Sequence, residues 1–170
     1  AFHYNMGNDF YGHWLDETMS YSSALFETPN QGFAEAQQAK YRRLADAVGL
    51  RPGSHIIEIG CGWGGFAETA ARDYDSDVVG LTLSGEQKEF AQERLRVAGL
   101  SAKTNIRLQD YRDVSGSFDA VVSIEMFEAV GQENWATYFN KVRSLLRSGG
   151  KAAIQVITID DARFEAYRNR

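Results

Sequence analysis

The residues best placed to do chemistry stand at Glu58-Ile59-Gly60-Cys61-Gly62-Trp63-Gly64, where an acidic side chain precedes three glycines spaced two apart. Glycines at that spacing let the backbone turn tightly and approach a ligand closely, and a helix opening directly after them presents unpaired N–H groups. An adenosine and a carboxylate-bearing amino acid both fit such a loop, and Glu58 can accept a hydrogen bond from an ammonium group. The loop departs from the dinucleotide fingerprint Gly-x-Gly-x-x-Gly in that a third glycine, Gly64, comes one residue early, ahead of Gly65, and an acidic residue stands before the first. Taken alone, the same glycines suit a plain strand-to-helix turn. Cys61 reads as a small residue in a crowded turn and not as a nucleophile.

Such a loop needs a strand to deliver it and a helix to receive it. His55 to Ile59 predicts a short buried strand, and a helix from about Phe66 to Tyr74 follows the glycines. Upstream, Phe33 to Val48 predicts an amphipathic helix with Ala36, Ala39, Leu44, Ala47 and Val48 toward a core, closed by Gly49. A second strand over Ser76 to Leu83 leads to Ser84-Gly85-Glu86-Gln87, which has capping-box spacing for a helix reaching Ala98. Asn105 to Gln109 predicts a third strand. Phe118 to Ile124 predicts a fourth, with the nearly continuous apolar run of a parallel sheet covered on both faces. A helix over Trp135 to Leu146, a turn at Ser148-Gly149-Gly150 and a fifth strand over Lys151 to Ile159 come next, and Ala166 to Arg170 looks like a helix in progress. The alternation predicts the α/β class, with a doubly wound, mostly parallel sheet and right-handed crossovers. In such a sheet ligands bind beyond the carboxyl ends of the strands, where the strand order reverses.

Composition sets outer bounds. The 170 residues are 44% hydrophobic and 24% charged, enough to bury one sizeable core. The net charge of -5 opposes non-specific attraction to nucleic acid, so no nucleic acid partner is expected, and it opposes attraction to anionic lipid head groups as well. The basic cluster Lys40, Arg42 and Arg43, flanked by Glu35 and Asp46, reads as a solvated helix face. The single cysteine forms no internal disulfide, no Cys/His cluster has metal-ligand spacing, and no metal is expected. A cytoplasmic setting follows, and with no membrane-spanning run or secretory signal, contact with a membrane would be peripheral, at the inner face, and transient. Residues 1–30 crowd Phe2, Tyr4, Phe10, Tyr11, Trp14, Leu15, Met19, Tyr21, Leu25 and Phe26 without clean periodicity, so this segment must cover something apolar.

The acidic residue before Gly-x-Gly-x-Gly resembles the cofactor loop of Rossmann-like class I methyltransferases. Several motifs in order sharpen this: Phe2-His3-Tyr4-Asn5-Met6-Gly7-Asn8-Asp9-Phe10-Tyr11, Leu15-Asp16-x-Thr18-Met19-Ser20-Tyr21-Ser22, the Glu58 to Gly64 loop, Gly80-Leu81-Thr82-Leu83-Ser84-x-x-Gln87, and Ser123-Ile124-Glu125-Met126-Phe127-Glu128. Together they resemble the cyclopropane-fatty-acyl-phospholipid synthase family, which includes the mycolic acid cyclopropane synthases. The resemblance implies S-adenosylmethionine as cofactor, held by Tyr21, Ser22, Glu58, Gly60, Cys61, Gly62, Gly64, Thr82, Gln87, Tyr111 and Arg112. Thr82 and Gln87 stand in for the acidic residue that often grips the ribose at the end of the second strand, while Ser84 and Gln87 also suit a helix cap. It further implies that residues 1–30 form a lid over residues 31–170, a cofactor-binding domain that here lacks its last two strands. Plain core packing is the other reading of Phe2, Tyr4, Phe10 and Trp14.

The implied reaction is methyl transfer to the double bond of an unsaturated phospholipid acyl chain, giving a cyclopropane ring. An alkene is a poor nucleophile and must meet the sulfonium methyl in line within a water-free pocket. The resulting cation is stabilised by aromatic faces, for which Tyr21 and Phe127 are candidates, and is resolved when a base removes a proton. In the family that base is a bound bicarbonate. Glu128 matches the glutamate that holds it and Ile124 a residue giving a backbone contact. The family's usual cysteine after Tyr-Ser is Ser23 here, its histidine after the glutamate is Ala129, and its histidine in the fifth strand is Gln155. Ser23 can keep a backbone hydrogen bond and Gln155 can donate through its amide. These changes leave open a methyl- or methylene-branched product, a small-molecule acceptor and a cofactor-binding module without catalysis. Glu125 and Glu128 also suit a plain role as helix-starting carboxylates. A homodimer is compatible with all of these.

Overall fold

The computed structural model describes residues 8–13 and 15–168. Phe2, Tyr4, Trp14, the motif residues 2–7 and the last residues, Asn169 and Arg170, lie outside them. A short helix α1 (Asn8–Gly12) precedes an irregular stretch and then α2 (Phe33–Val48), β1 (His55–Ile59), α3 (Gly65–Asp73), β2 (Asp77–Thr82), α4 (Gly85–Val97) and β3 (Thr104–Leu108). The chain continues with β4 (Phe118–Ile124), α5 (Trp135–Leu145), β5 (Leu146–Gln155) and α6 (Asp161–Arg168). The five strands are all parallel, in the order β3-β2-β1-β4-β5. The order reverses between β1 and β4, so a crevice is expected at the carboxyl ends of these two strands.

Successive residues of a strand point to opposite faces of the sheet, and the core divides accordingly. Ile56, Val78, Ile106, Ala120 and Val122 meet α2, α3 and α4 through Ala45, Phe66, Ala70, Ala91 and Leu95 on one face. Ile57, Ile59, Val79, Leu81 and Val121 meet α5 through Tyr138, Val142 and Leu145 on the other. With both faces covered, the central strands are buried along nearly their whole length.

Three expectations are corrected. In α2, Ala36, Ala39 and Val48 are buried as expected, but near the helix end it is Ala45 that is fully buried while Ala47 is exposed. Lys40 is not on a solvated face: it is 3% exposed, with its ammonium bonded to Ser22 Oγ at 2.6 Å and to Gln37 Oε1. The strand β5 starts at Leu146 and stops at Gln155, where 151–159 was expected. Phe118 pairs with Leu146 and Ala120 with Lys151, so Ser148-Gly149-Gly150 is absorbed as an irregularity inside the strand rather than as a turn before it. Beyond Gln155 the main chain leaves the ladder, and the Ile157 N–H donates to the Glu128 carboxylate.

Candidate active site

At the end of β1 the chain enters the glycine loop, and the N–H groups of Gly60 and Cys61 both donate to the Leu81 carbonyl of β2, at 3.1 and 2.8 Å. Gly60 is required twice over: its φ is +84°, and a Cβ there would lie 2.9 Å from Met126 Cγ. Gly64, at φ +85°, sits behind the loop against Ala91 of α4, where a Cβ would meet the alanine methyl at 3.0 Å. It shapes the turn and does not line the crevice.

The crevice holds a cavity of about 470 Å³. Its wall combines Glu58, Gly60, Cys61 and Gly62 from the first loop, Thr82 and Gln87 from the second, and Tyr111 and Arg112 from the third. Tyr21 and Ser22 close it from the N-terminal side, and Ile124, Glu125 and Met126 from the end of β4. Ten of the eleven residues expected to contact the cofactor therefore converge, all but Gly64.

Glu58 is 2% exposed, and its Oε2 has no hydrogen-bond partner. Burial pushes this carboxyl up to about 8, partly offset by the Lys40 ammonium and a hydrogen bond from the Ala67 backbone. Lys40 itself is pushed down to about 8 by burial, against the attraction of Glu125, Asp16 and Glu58. An unpartnered buried carboxylate oxygen costs free energy unless a ligand meets it. An amino acid ammonium satisfies it, and a glycine loop whose backbone is bare at Gly60 and Gly62 accepts the rest of an adenosyl amino acid. The residues present thus fit S-adenosylmethionine. Cys61 is 4% exposed and its thiol is raised well above the ordinary range by burial, which suits a packing role.

On the second loop the Thr82 hydroxyl donates to Gln87 Oε1 at 2.7 Å, and Ser84 Oγ accepts from the Gln87 N–H at 3.3 Å. Both readings of this segment hold together: Ser84 caps α4, and the cap fixes Gln87 with its amide oxygen taken and its NH2 as the donor end. In the third loop Asp110 caps a 3-10 turn over Tyr111–Asp113 and holds the Arg112 guanidinium at 2.6 Å. Tyr111 leans edge-on against Tyr138, 5.5 Å between centroids.

The N-terminal segment is tied down at several points. Ser20 Oγ and Tyr41 Oη share a 2.6 Å hydrogen bond, and Arg94 donates to the Thr18 carbonyl at 2.6 Å. The Gln37 amide meets the Ser22 carbonyl at 2.8 Å, and Leu25 N–H reaches Ala36 O at 3.1 Å. Tyr11 packs on Trp63 of the glycine loop, 5.0 Å between rings, and on Tyr21 at 5.7 Å. Lys40 and Trp63 are thus parts of the site's scaffold that sequence reasoning missed. A tryptophan among loop glycines was the available signal for one; a lysine two residues before the Arg42-Arg43 pair gave none for the other.

The expected catalytic set divides. Ile124 lines the cavity, while the backbone group that meets Glu128 belongs to Ile157. Glu128 is exposed and lies outside the cavity wall. Phe127 is outside it too, its ring occupied by Trp135, Tyr138 and Phe139 at 5.1–5.5 Å, so of the two aromatic candidates for facing a cation only Tyr21 borders the crevice. Ser23 and Gln155 do come together, on Glu125: the Ser23 N–H and the Gln155 Nε2 both donate to its Oε1, at 2.9 and 2.8 Å. Among the described residues no group of His, Cys, Asp and Glu could hold a metal ion, and no helix is long and apolar enough to cross a membrane.

The family model for mycolic acid cyclopropane synthetase matches residues 1–169. The chain belongs to that family. It is 43% identical over 176 residues to a tuberculostearic acid methyltransferase of Mycobacterium tuberculosis, covering 99% of this chain and 41% of that protein. It is 45% identical over 148 residues to the cyclopropane-fatty-acyl-phospholipid synthase of Escherichia coli, covering 87% of this chain and 37% of that enzyme. The solved cyclopropane synthase MmaA2 of Mycobacterium tuberculosis superposes with a TM-score of 0.91 at 32% identity, covering 96% of this chain and 57% of that one. The chain therefore spans less than two thirds of the length of each of these family members.

Proposed function

We propose that the full-length protein transfers the methyl group of S-adenosylmethionine to the double bond of an unsaturated phospholipid acyl chain and closes a cyclopropane ring. The unpartnered Glu58 oxygen above the bare glycine loop carries this reading. It supplies an ammonium seat in a crevice that Leu81, Ile124 and Met126 also line with apolar surface. The cofactor supplies an electrophilic methyl. Glu58 fixes the amino acid end, Thr82 and Gln87 offer hydrogen-bonding groups to the ribose, and Tyr21 presents an aromatic edge to the reacting centre. The anchored N-terminal segment acts as a lid that keeps water from the methyl and the alkene, which suits a reaction with a weak nucleophile. The related proteins named for fatty acyl and mycolic acid chemistry support a lipid acceptor, reached by transient contact at the inner membrane face.

A methyl- or methylene-branched acyl product is the second reading. The changes at Ser23, Ala129 and Gln155 favour it, as does the similarity to a tuberculostearic acid methyltransferase. One experiment addresses both. The full-length protein is incubated with methyl-deuterated cofactor and vesicles of unsaturated phospholipid, and the acyl chains are analysed by mass spectrometry. A ring or a methylene branch keeps two of the three deuteriums, and a methyl-branched alkene formed by proton loss from a chain carbon keeps all three, while chains without label refute a lipid acceptor.

A further inference from the structure

We infer that the Glu125 carboxylate is the base of this site, seated where a separate anion would otherwise be held. The inference rests on the acyl methyltransferase reading and names a residue that the motifs alone cast only as a helix-starting carboxylate. Glu125 lies just past β4 and lines the same cavity as Glu58, Gly60 and Tyr21. Two donors from distant parts of the chain converge on one of its oxygens: the Ser23 N–H from the N-terminal segment at 2.9 Å and the Gln155 Nε2 from the end of β5 at 2.8 Å. The same Gln155 amide reaches the Ser23 carbonyl at 3.4 Å, and the Glu125 N–H donates to the Gln155 carbonyl at 2.9 Å. Such a pair of convergent donors makes a cradle for one anionic oxygen, and the chain fills it with its own side chain.

The backbone at Glu125 supports a functional reading. Its φ is +47°, a conformation that disfavours an L side chain and persists where surrounding contacts over-determine it. A glycine would sit there without strain, so the glutamate is held for its carboxylate. The second oxygen, Oε2, takes no hydrogen bond from the described residues and keeps its lone pairs for a proton. Lys40, buried behind Ser22, provides a cation that attracts the carboxylate.

The step balances without any other reactant. The alkene π pair forms the new carbon–methyl bond, the methyl–sulfur pair stays on sulfur, and the neighbouring carbon becomes cationic. Glu125 Oε2 takes a proton from that cation, and the released C–H pair closes a ring or forms a double bond. The carboxylic acid then gives its proton to solvent.

Two variants of the full-length protein test the assignment. Glu125→Gln keeps the shape but accepts no proton, and Glu125→Gly removes the side chain, relieves the positive φ and opens the Ser23 and Gln155 donors. Isotopically labelled bicarbonate titrated in an NMR tube is expected to stay sharp with the wild type and to broaden with Glu125→Gly. Acyl methylation by the wild type is expected to be indifferent to removal of bicarbonate. In Glu125→Gln it falls by about 100-fold or more, the scale of a lost general base, and added bicarbonate does not restore it, whereas in Glu125→Gly added bicarbonate does. Bicarbonate bound by the wild type, or a Glu125→Gln variant that turns over like the wild type, overturns the assignment. A wild type that excludes bicarbonate yet methylates no acyl chain keeps the seat and overturns the acyl reading instead.

Discussion

Glu58 sets the site's response to pH. In the empty crevice burial pushes its carboxyl up to about 8, so below that pH it carries a proton. An ammonium ligand needs the carboxylate, so binding near neutral pH must expel the proton, and affinity is expected to fall as pH drops below about 8, by at most about tenfold per unit. Calorimetry with S-adenosylhomocysteine at pH 7 in two buffers of different ionisation heat should reveal that release. Glu58→Gln should abolish it and weaken binding by about 10- to 100-fold, the scale of a hydrogen bond to a charged group. Heats independent of buffer would show that Glu58 is not the ammonium seat. Glu58, Thr82 and Gln87 were legible because each occupies a fixed place beside a strand end in a motif. Glu125 was not, since a carboxylate after a strand looks the same whether it starts a helix or turns inward on a left-handed backbone; the structure separates the two through the donors of Ser23 and Gln155. Lys40 was hidden for a related reason: on sequence a lysine clustered with Arg42 and Arg43 between Glu35 and Asp46 reads as solvated, and only the return of Ser22 across α2 buries it.

At the scale of elements, the second loop depends on the start of α4. Ser84 accepts the Gln87 N–H, and the same turn places the Gln87 side chain against Thr82. Ser84→Ala should therefore lower stability by about 1 kcal/mol, the usual worth of an N-cap, measured by urea unfolding, and should weaken cofactor binding at the same time. An unchanged unfolding midpoint would mean that the cap is dispensable. The strands β1 and β4 were legible to the residue because their short, mostly apolar runs, His55 to Ile59 and Phe118 to Ile124, follow from burial on both faces. The strand β5 was not. Gly149 and Gly150 signal a turn in sequence, whereas pairing with β4 carries them through as a bulge, and the capture of the Ile157 N–H by Glu128 ends the ladder early. Local pattern cannot report a hydrogen bond to a partner thirty residues away.

For the molecule as a whole, the strand order decides where function sits. Reversal between β1 and β4 opens the crevice, and three consecutive strand ends supply its cofactor side. The N-terminal segment closes the remaining side, held by Arg94 of α4 and by Tyr41, Gln37 and Lys40 of α2. Motif order made the family legible, and the parallel sheet followed from alternation alone. That Glu125 and not Glu128 borders the cavity is a product of tertiary structure. The central claim is that this crevice seats the cofactor with its amino acid end on Glu58. A crystal structure of the full-length protein with S-adenosylhomocysteine tests it most directly. The account predicts the ligand ammonium within hydrogen-bond distance of Glu58 Oε2 and the adenosine beside Thr82 and Gln87; a ligand bound elsewhere, with the Glu58 oxygen still unpartnered, would contradict it.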